Sequence, residues 1–171
     1  VGAWRDEAAR DVLLEVLASE PIDAPYSALR AQVAEELAKV ESTPEVVSAL
    51  VRVLERDRDH WVRAEALKSL TALEERRVRP RAIAALRGTP SDGYWVQRKA
   101  AEALGTWGEP EDLGALTKAF QPGAPGPRFR HTAFRAGAKL ANRQPVGVER
   151  DRARGPVREA AEAWLKSLHL R

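Results

Sequence analysis

The most constraining feature of this chain is a helix that recurs along it. The segments "DHWVRAEALKSLTAL" at 59–73 and "GYWVQRKAAEALGTW" at 93–107 are nearly alike and begin 34 residues apart. In both, apolar residues fall at positions i, i+4, i+8 and i+11, the spacing of one stripe on an α-helix. A helix that recurs at this interval predicts an internal repeat.

The same stripe occurs in three further segments, one before this pair and two after it. The predicted stripe residues, in chain order, are Leu29, Val33, Leu37 and Val40; Val62, Ala66, Leu70 and Leu73; Val96, Ala100, Leu104 and Trp107; Phe129, Ala133, Gly137 and Leu140; and Val157, Ala161, Leu165 and Leu168. A two-helix unit of this length cannot bury its apolar face alone, so each unit is expected to stack on its neighbours.

A second helix is predicted between successive stripes. "STPEVVSALVRVLERD" and "EPEDLGALTKAF" each place a proline in the first turn, where its missing N–H has no intrahelical partner to lose. The segment at 4–18 supplies the partner of the first stripe helix. We therefore predict a single all-α domain over 1–171, a right-handed α-solenoid of about four and a half helical hairpins. The expected repeats are 1–42, 43–75, 76–108 and 109–141, with a terminal cap at 142–171 and a projecting loop at "QPGAPGP" (121–127).

An acidic residue followed by V-R-x-x-A-x-x-x-L, as in "DHWVRAEALKSL", resembles HEAT repeats, in particular the phycobiliprotein-lyase HEAT-like kind. The likeness covers about residues 26–168 and is strongest over 43–120. In such repeats an arginine braces neighbouring turns. The resemblance implies this role for Arg30, Arg63, Arg130 and Arg158. Gln97 replaces the arginine in the third repeat and only Asp59 is well placed as the acid, so we expect an incomplete acid–arginine ladder.

The order of the helices is also similar to the C-terminal HEAT segment of microbial zinc aminopeptidases of the aminopeptidase N type. The aromatic residue before V-R and the closing stretch "GAPGPRFRHTAFRAGAKL" carry this likeness. It implies a non-catalytic module packed against a metallopeptidase core elsewhere in a longer protein. The start at Val1 and the absence of methionine also favour excision from a longer chain. The H-E-x-x-H motif does not occur, so no catalytic residue is transferred.

Composition argues against several kinds of chemistry. The chain has no cysteine, which excludes disulfides and thiolate metal sites and fits a reducing compartment such as the cytoplasm. No stretch approaches the roughly 18 apolar residues of a membrane span. The three histidines, His60, His131 and His169, lack the i, i+4 spacing of a helical metal site. We expect no metal, no cofactor and no enzymatic activity in this chain.

Charge is unevenly distributed. Residues 1–120 carry 17 Lys and Arg against 21 Asp and Glu, whereas residues 121–171 carry 11 against 4. This basic end suits either a solvated cap, an acidic neighbouring domain or an anionic partner. Opposite the apolar stripes the residues are, in repeat order, Glu35, Lys68, Glu102, Arg135 and Ala163. Alternating signs predict pairing between repeats and disfavour a polyanion along the whole face.

The expected partner is therefore a protein, either another domain of the same chain or a separate molecule. The alternative is a nucleic-acid-binding or base-excising protein, similar to HEAT-like DNA alkyl-base glycosylases, that uses the basic terminal repeats. Trp61 and Trp95 occupy equivalent positions at the starts of two stripe helices. Each indole either packs between the preceding helix and turn or stays exposed as a contact for a partner. The candidate partner-binding residues are Trp61, Trp95, Arg98, Arg128, Arg130, His131, Arg135 and Lys139.

Overall fold

The structure, a computed structural model, describes residues 2–19, 27–88, 92–120, 126–143 and 148–169. These residues form nine α-helices and no strand, which confirms the all-α prediction. The helices are α1 (Gly2–Ser19), α2 (Ser27–Glu36), α3 (Pro44–Arg56), α4 (His60–Ala72), α5 (Arg79–Arg87), α6 (Tyr94–Trp107), α7 (Leu113–Ala119), α8 (Pro127–Arg143) and α9 (Val148–His169). Short 3₁₀ turns precede α5 and α7. The helices group into two compact units, Val1–Val78 and Arg79–Arg171.

In the first unit, α4 packs against both α3 and α2. Its predicted stripe is buried: Val62, Ala66 and Leu70 have no exposed surface. Thr43 caps α3 by accepting a hydrogen bond from the Val46 N–H, and Pro44 occupies the first helical position. The α3–α4 hairpin therefore follows from proline and capping signals at its entry and from the apolar stripe along its length.

Charged side chains also tie the first unit together. Lys68 on α4 lies 2.8 Å from a Glu35 carboxylate oxygen on α2, a cross-repeat pair that confirms the alternating-charge prediction at this point. Arg30 of α2 reaches the turn before α4, and the Arg63 guanidinium donates to the Asp57 carbonyl of that turn. Both arginines thus brace turns, as the resemblance implied. The prediction of Asp59 as the acid of this pair was wrong, however. The Asp57 carboxylate accepts the hydrogen bond from Arg30, and the Asp59 carboxylate instead caps α4 by accepting one from the Trp61 N–H.

In the second unit, α6 packs between α5 and α8, and α8 also contacts α7 and α9. The stripes of α6 and α8 are buried as predicted. Their fully or almost fully buried members include Val96, Ala100, Leu104, Phe129, Ala133 and Leu140. Phe120, after α7, meets Phe134 of α8 edge-to-face with ring centroids 5.6 Å apart.

Two buried carboxylates of the second unit are each held by an arginine. The Asp112 carboxylate receives two hydrogen bonds from Arg79, at 2.8 and 3.0 Å, and a third from the Glu109 N–H. The Asp92 carboxylate receives two from Arg81, at 2.9 and 2.5 Å. Because isolated buried charges are costly, these forks fix the turns that lead into α7 and α6.

Several predictions were wrong or fall outside the described residues. Leu29 is 43 % exposed rather than buried, because no described helix covers it, and α2 ends at Glu36, before Val40. The predicted terminal cap contains one long helix, α9, which includes Pro156. Arg158 is exposed and lies near Glu162 of its own helix, and among the described residues it contacts no turn, contrary to the implied bracing role. The side chains of Leu165, Leu168 and His169, and residues 121–125 of the predicted loop, lie outside the described part.

Candidate interaction surface on α6 and α8

The outward sides of α6 and α8 form the surface on which most predicted site residues meet. On each helix the exposed or half-exposed residues recur at intervals of three or four, so they line one side. We call this surface the α6–α8 face. It consists of Trp95, Arg98, Glu102 and Thr106 on α6, and Arg128, His131, Arg135 and Lys139 on α8.

Trp95 is the main apolar group of the face. Its side chain is 40 % exposed. The Arg98 guanidinium carbon lies 4.6 Å from the centroid of the indole ring, within cation–π range, and the Tyr94 ring meets the indole edge-to-face. Trp95 is therefore only partly buried, as an exposed contact requires. These neighbours hold the indole in one orientation with part of its surface open.

A groove runs between the two helices beyond the tryptophan. It has a volume of about 520 Å³ and is lined by Glu102, Gly105, Thr106, Thr132, Arg135, Ala136 and Lys139. The helices approach closely at its floor, since a Cβ added to Gly105 would lie 2.8 Å from the Ala136 Cα. Small residues at this crossing let the backbones meet, so the long side chains around it form the walls.

Helix α8 has an unusual charge. Its 17 residues contain five cations and no Asp or Glu. Within the described part of the chain, Arg128, His131 and Arg135 form no ion pair. The Lys139 ammonium donates to the Thr106 hydroxyl oxygen at 3.2 Å. The guanidinium of Arg143 donates to the carbonyls of Thr106 and Gly108 and thereby satisfies the C-terminal end of α6.

The carboxylate of the face is turned toward its own helix. Glu102 lies 2.8 Å from the Lys99 ammonium and 3.5 Å from the Arg98 Nε. The alternating-charge pattern predicted that Glu102 could pair with Arg135 across the repeats, and this prediction was wrong. Two cations of α6 already compensate Glu102, because they lie one helical turn before it. The positive charge of Arg135 therefore stays available at the groove.

Two of the predicted site residues lie elsewhere. Trp61, at the start of α4 in the first unit, is 43 % exposed. Arg130 is half-buried on α8 and is not part of the α6–α8 face. Sequence reasoning missed Gly105, Thr106, Thr132 and Ala136. The 33-residue repeat interval could have identified Thr106, since it places Thr106 beside Lys139. The contact between Gly105 and Ala136 has no such signal, because small residues in a helix form no distinctive sequence pattern.

The described residues contain neither a candidate metal site nor a candidate membrane span. No group of three or more His, Asp or Glu side chains within them comes together in a way that could hold a metal ion. None of the described helices has the length and apolarity needed to cross a membrane.

The family model for HEAT repeats matches the chain twice, over residues 11–94 and 52–138. Together these matches span α2 to α7, half of α1 and most of α8. No curated protein matches the sequence.

Proposed function

This chain belongs to the HEAT-repeat family, and we propose that it is a non-catalytic scaffold that contacts another protein or another domain through its α6–α8 face. The observation that carries the proposal is the exposed indole of Trp95 beside an acid-free helix with five cations. Tryptophan and arginine are enriched among the residues that dominate binding energy at interfaces. A helix holds the backbone that carries these side chains in place before binding, so the backbone loses little entropy on binding.

The partner could belong to the same polypeptide. The looser resemblance to the C-terminal segment of zinc aminopeptidases supports this form of the proposal, in which the chain braces a metallopeptidase core. A basic surface suits such packing when the neighbouring domain presents carboxylates. Three further features remain predictions from the sequence: the phycobiliprotein-lyase-like type of the repeats, the bounds of the individual repeats and a cytoplasmic location.

Site-specific photo-crosslinking tests the proposal. A photoreactive amino acid would replace Trp95 or His131 on the face, or the exposed Gly114 on α7 as a matched control, in the full-length gene product within its own cells. We expect positions 95 and 131 to crosslink to the same peptide segment and position 114 not to do so. Crosslinks from all three positions alike, or from none, would contradict a specific contact surface. The identity of the crosslinked peptide distinguishes a partner protein from a domain of the same chain.

Nucleic-acid binding is the second candidate function. The positive charge of α8, which contains no Asp or Glu, favours it. The Glu102 carboxylate on α6 weighs against a duplex lying along α6 and α8. A gel shift with duplex DNA at low salt that is lost in the Arg130→Glu/Arg135→Glu variant would support this candidate. Absence of any shift at low salt would exclude it.

A further inference from the structure

We infer that the partner segment is an extended acidic peptide, with an apolar side chain on Trp95 and carboxylates on Arg135 and Lys139. This inference rests on the proposed function and adds the chemistry of the partner. It follows from the different character of the two ends of the α6–α8 face.

The length of the face sets the length of the segment. Trp95 and Thr106 are 11 residues apart on α6, which corresponds to about 16 Å along the helix axis. The hydrogen bond from Lys139 to Thr106 places the far end of α8 at the same level. An extended chain rises about 3.3 Å per residue, so roughly five residues span the face.

One end of the face suits an apolar side chain. The Trp95 indole is partly open, and Arg98 lies over its ring. An aliphatic or aromatic residue of the partner can cover the remaining ring surface. The Arg98 side chain is also near Glu102, so the charge of Arg98 itself is partly compensated.

The other end suits carboxylates. Arg135 forms no ion pair within the described residues, and Lys139 donates only to a hydroxyl there. The hydroxyls of Thr106 and Thr132 donate to carbonyls of their own helices, so the donors left for a ligand are the guanidinium and the ammonium. A guanidinium fork matches a carboxylate geometrically. Arg143 occupies the carbonyls at the end of α6, which reduces their repulsion of an anion.

The position of Glu102 favours an acidic peptide over nucleic acid. Its carboxylate lines the groove together with Arg135 and Lys139, so a continuous phosphate backbone in this groove would have to pass beside it. A peptide can instead place an uncharged residue opposite Glu102 and keep its carboxylates for Arg135 and Lys139. The face therefore suits a segment in which apolar and acidic residues are separated.

The test uses fluorescein-labelled hexapeptides that carry a leucine at one end and glutamates at the other, made in both orders of sequence. Binding is followed by fluorescence anisotropy at about 0.05 M and about 0.3 M salt, since screening weakens exposed charge interactions. Two further probes replace the leucine by serine or the glutamates by glutamine. A short DNA duplex with the same label is the last probe.

The central variant is Arg135→Glu/Lys139→Glu. Its matched control is Arg87→Glu/Lys118→Glu, which makes the same change of net charge at exposed residues of α5 and α7. We expect the central variant to weaken binding of the leucine–glutamate peptide at least about tenfold and the control less than about threefold. The Trp95→Ala variant should weaken binding of the leucine peptide but not of its serine version. Circular dichroism confirms that each variant is folded, and Arg135→Gln/Lys139→Gln provides a milder second variant.

Equal losses in the two charge-reversal variants would overturn the inference, because only net charge would then matter. Tighter binding of the duplex, lost with Arg135 and Lys139, would overturn it in favour of nucleic acid. If the crosslinks from positions 95 and 131 lead to a segment without acidic residues, the inference fails while the proposed function stands.

Discussion

Arg30 and Asp57 form a buried fork in the first unit. The Arg30 Nε and Nη2 atoms donate to the two carboxylate oxygens of Asp57 at 2.8 and 3.2 Å. Their side chains are only 3 % and 2 % exposed. Asp57 also accepts the N–H of Asp59, so one carboxylate joins helix α2 to the turn between α3 and α4.

Removal of one partner from this fork should be costly. Asp57→Ala leaves the Arg30 charge buried without its carboxylate, and we expect a loss of about 3–5 kcal/mol in the free energy of unfolding. The matched control is Asp11→Ala, which removes an exposed carboxylate that also contacts an arginine. The double variant Arg30→Met/Asp57→Leu should lose less than Asp57→Ala alone. Urea denaturation followed by circular dichroism measures all three, and equal effects of Asp57→Ala and Asp11→Ala would contradict the structural role of the fork.

The apolar stripes make a second prediction. Leu70 and Leu104 have no exposed surface, so truncation of either to alanine should cost about 2–5 kcal/mol of unfolding free energy. Lys68 is two residues before Leu70 on α4 and pairs with Glu35, but both of these charged side chains are about 40 % exposed. Solvent screening therefore limits the effect of Lys68→Ala to about 0–1 kcal/mol. Similar small effects of the leucine and lysine changes in chemical denaturation would show that the stripe assignment is wrong.

Two glycines in the second unit should respond in opposite ways to alanine. At Gly105 a Cβ would lie 2.8 Å from both the Cα and the Cβ of Ala136, so Gly105→Ala must push α6 and α8 apart. We expect it to cost about 1–3 kcal/mol. Gly114 on α7 has no atom within 4 Å of the added Cβ. Gly114→Ala should therefore raise stability by up to about 1 kcal/mol through helix propensity alone. A stabilising effect at Gly105 in thermal denaturation would mean that the helices do not approach as closely as described.

Asp59 makes stability depend on pH. Burial raises the pKa of Asp59, but hydrogen bonds from Ser27 and from the Trp61 N–H outweigh burial and hold this pKa below its ordinary value. Because the pKa of Asp59 is lowered in the folded state, its carboxylate stabilises the fold fully above the ordinary pKa of about 3.9. This stabilisation is lost as the pH falls through the folded-state pKa.

The variant Asp59→Asn keeps a capping side chain without this titration, so its stability should fall less than that of the wild type between about pH 5 and about pH 3. Urea midpoints across this range measure the difference. Parallel pH curves for the two proteins would show that Asp59 does not contribute through its charge.

The sequence predicted the repeat because helical periodicity is a local signal. The stripes of α4, α6 and α8 lie where the spacing placed them, and proline and capping residues located the start of α3. Side-chain pairing was less predictable. Asp57 and Asp59 are equally acidic in sequence, and only the geometry of the turn shows that Asp57 receives Arg30 while Asp59 caps α4. Likewise, the alternation of charges between repeats could not show that the Glu102 carboxylate pairs with Lys99 of its own helix rather than with Arg135 of α8.

The α6–α8 face was predictable only in part. Its residues Arg128, His131, Arg135 and Lys139 stand out from their spacing and from the basic end of the chain. The groove was not predictable, because it depends on the contact of Gly105 with Ala136, and a small residue in a helix has no distinctive pattern. The exposure of Trp95 depends on how its neighbours pack, which sequence alone does not determine.

The most direct test of the central claim is the response of the tryptophan indole N–H signals in a ¹H–¹⁵N NMR titration with the leucine–glutamate peptide. Trp61 and Trp95 occupy equivalent positions and are 43 % and 40 % exposed, whereas Trp107 is buried. We predict that the Trp95 signal shifts together with the backbone signals of Arg135 and Lys139, while Trp61 and Trp107 do not move. Equal shifts of Trp61 and Trp95, or shifts confined to α5 and α7, would contradict the α6–α8 face as the contact surface.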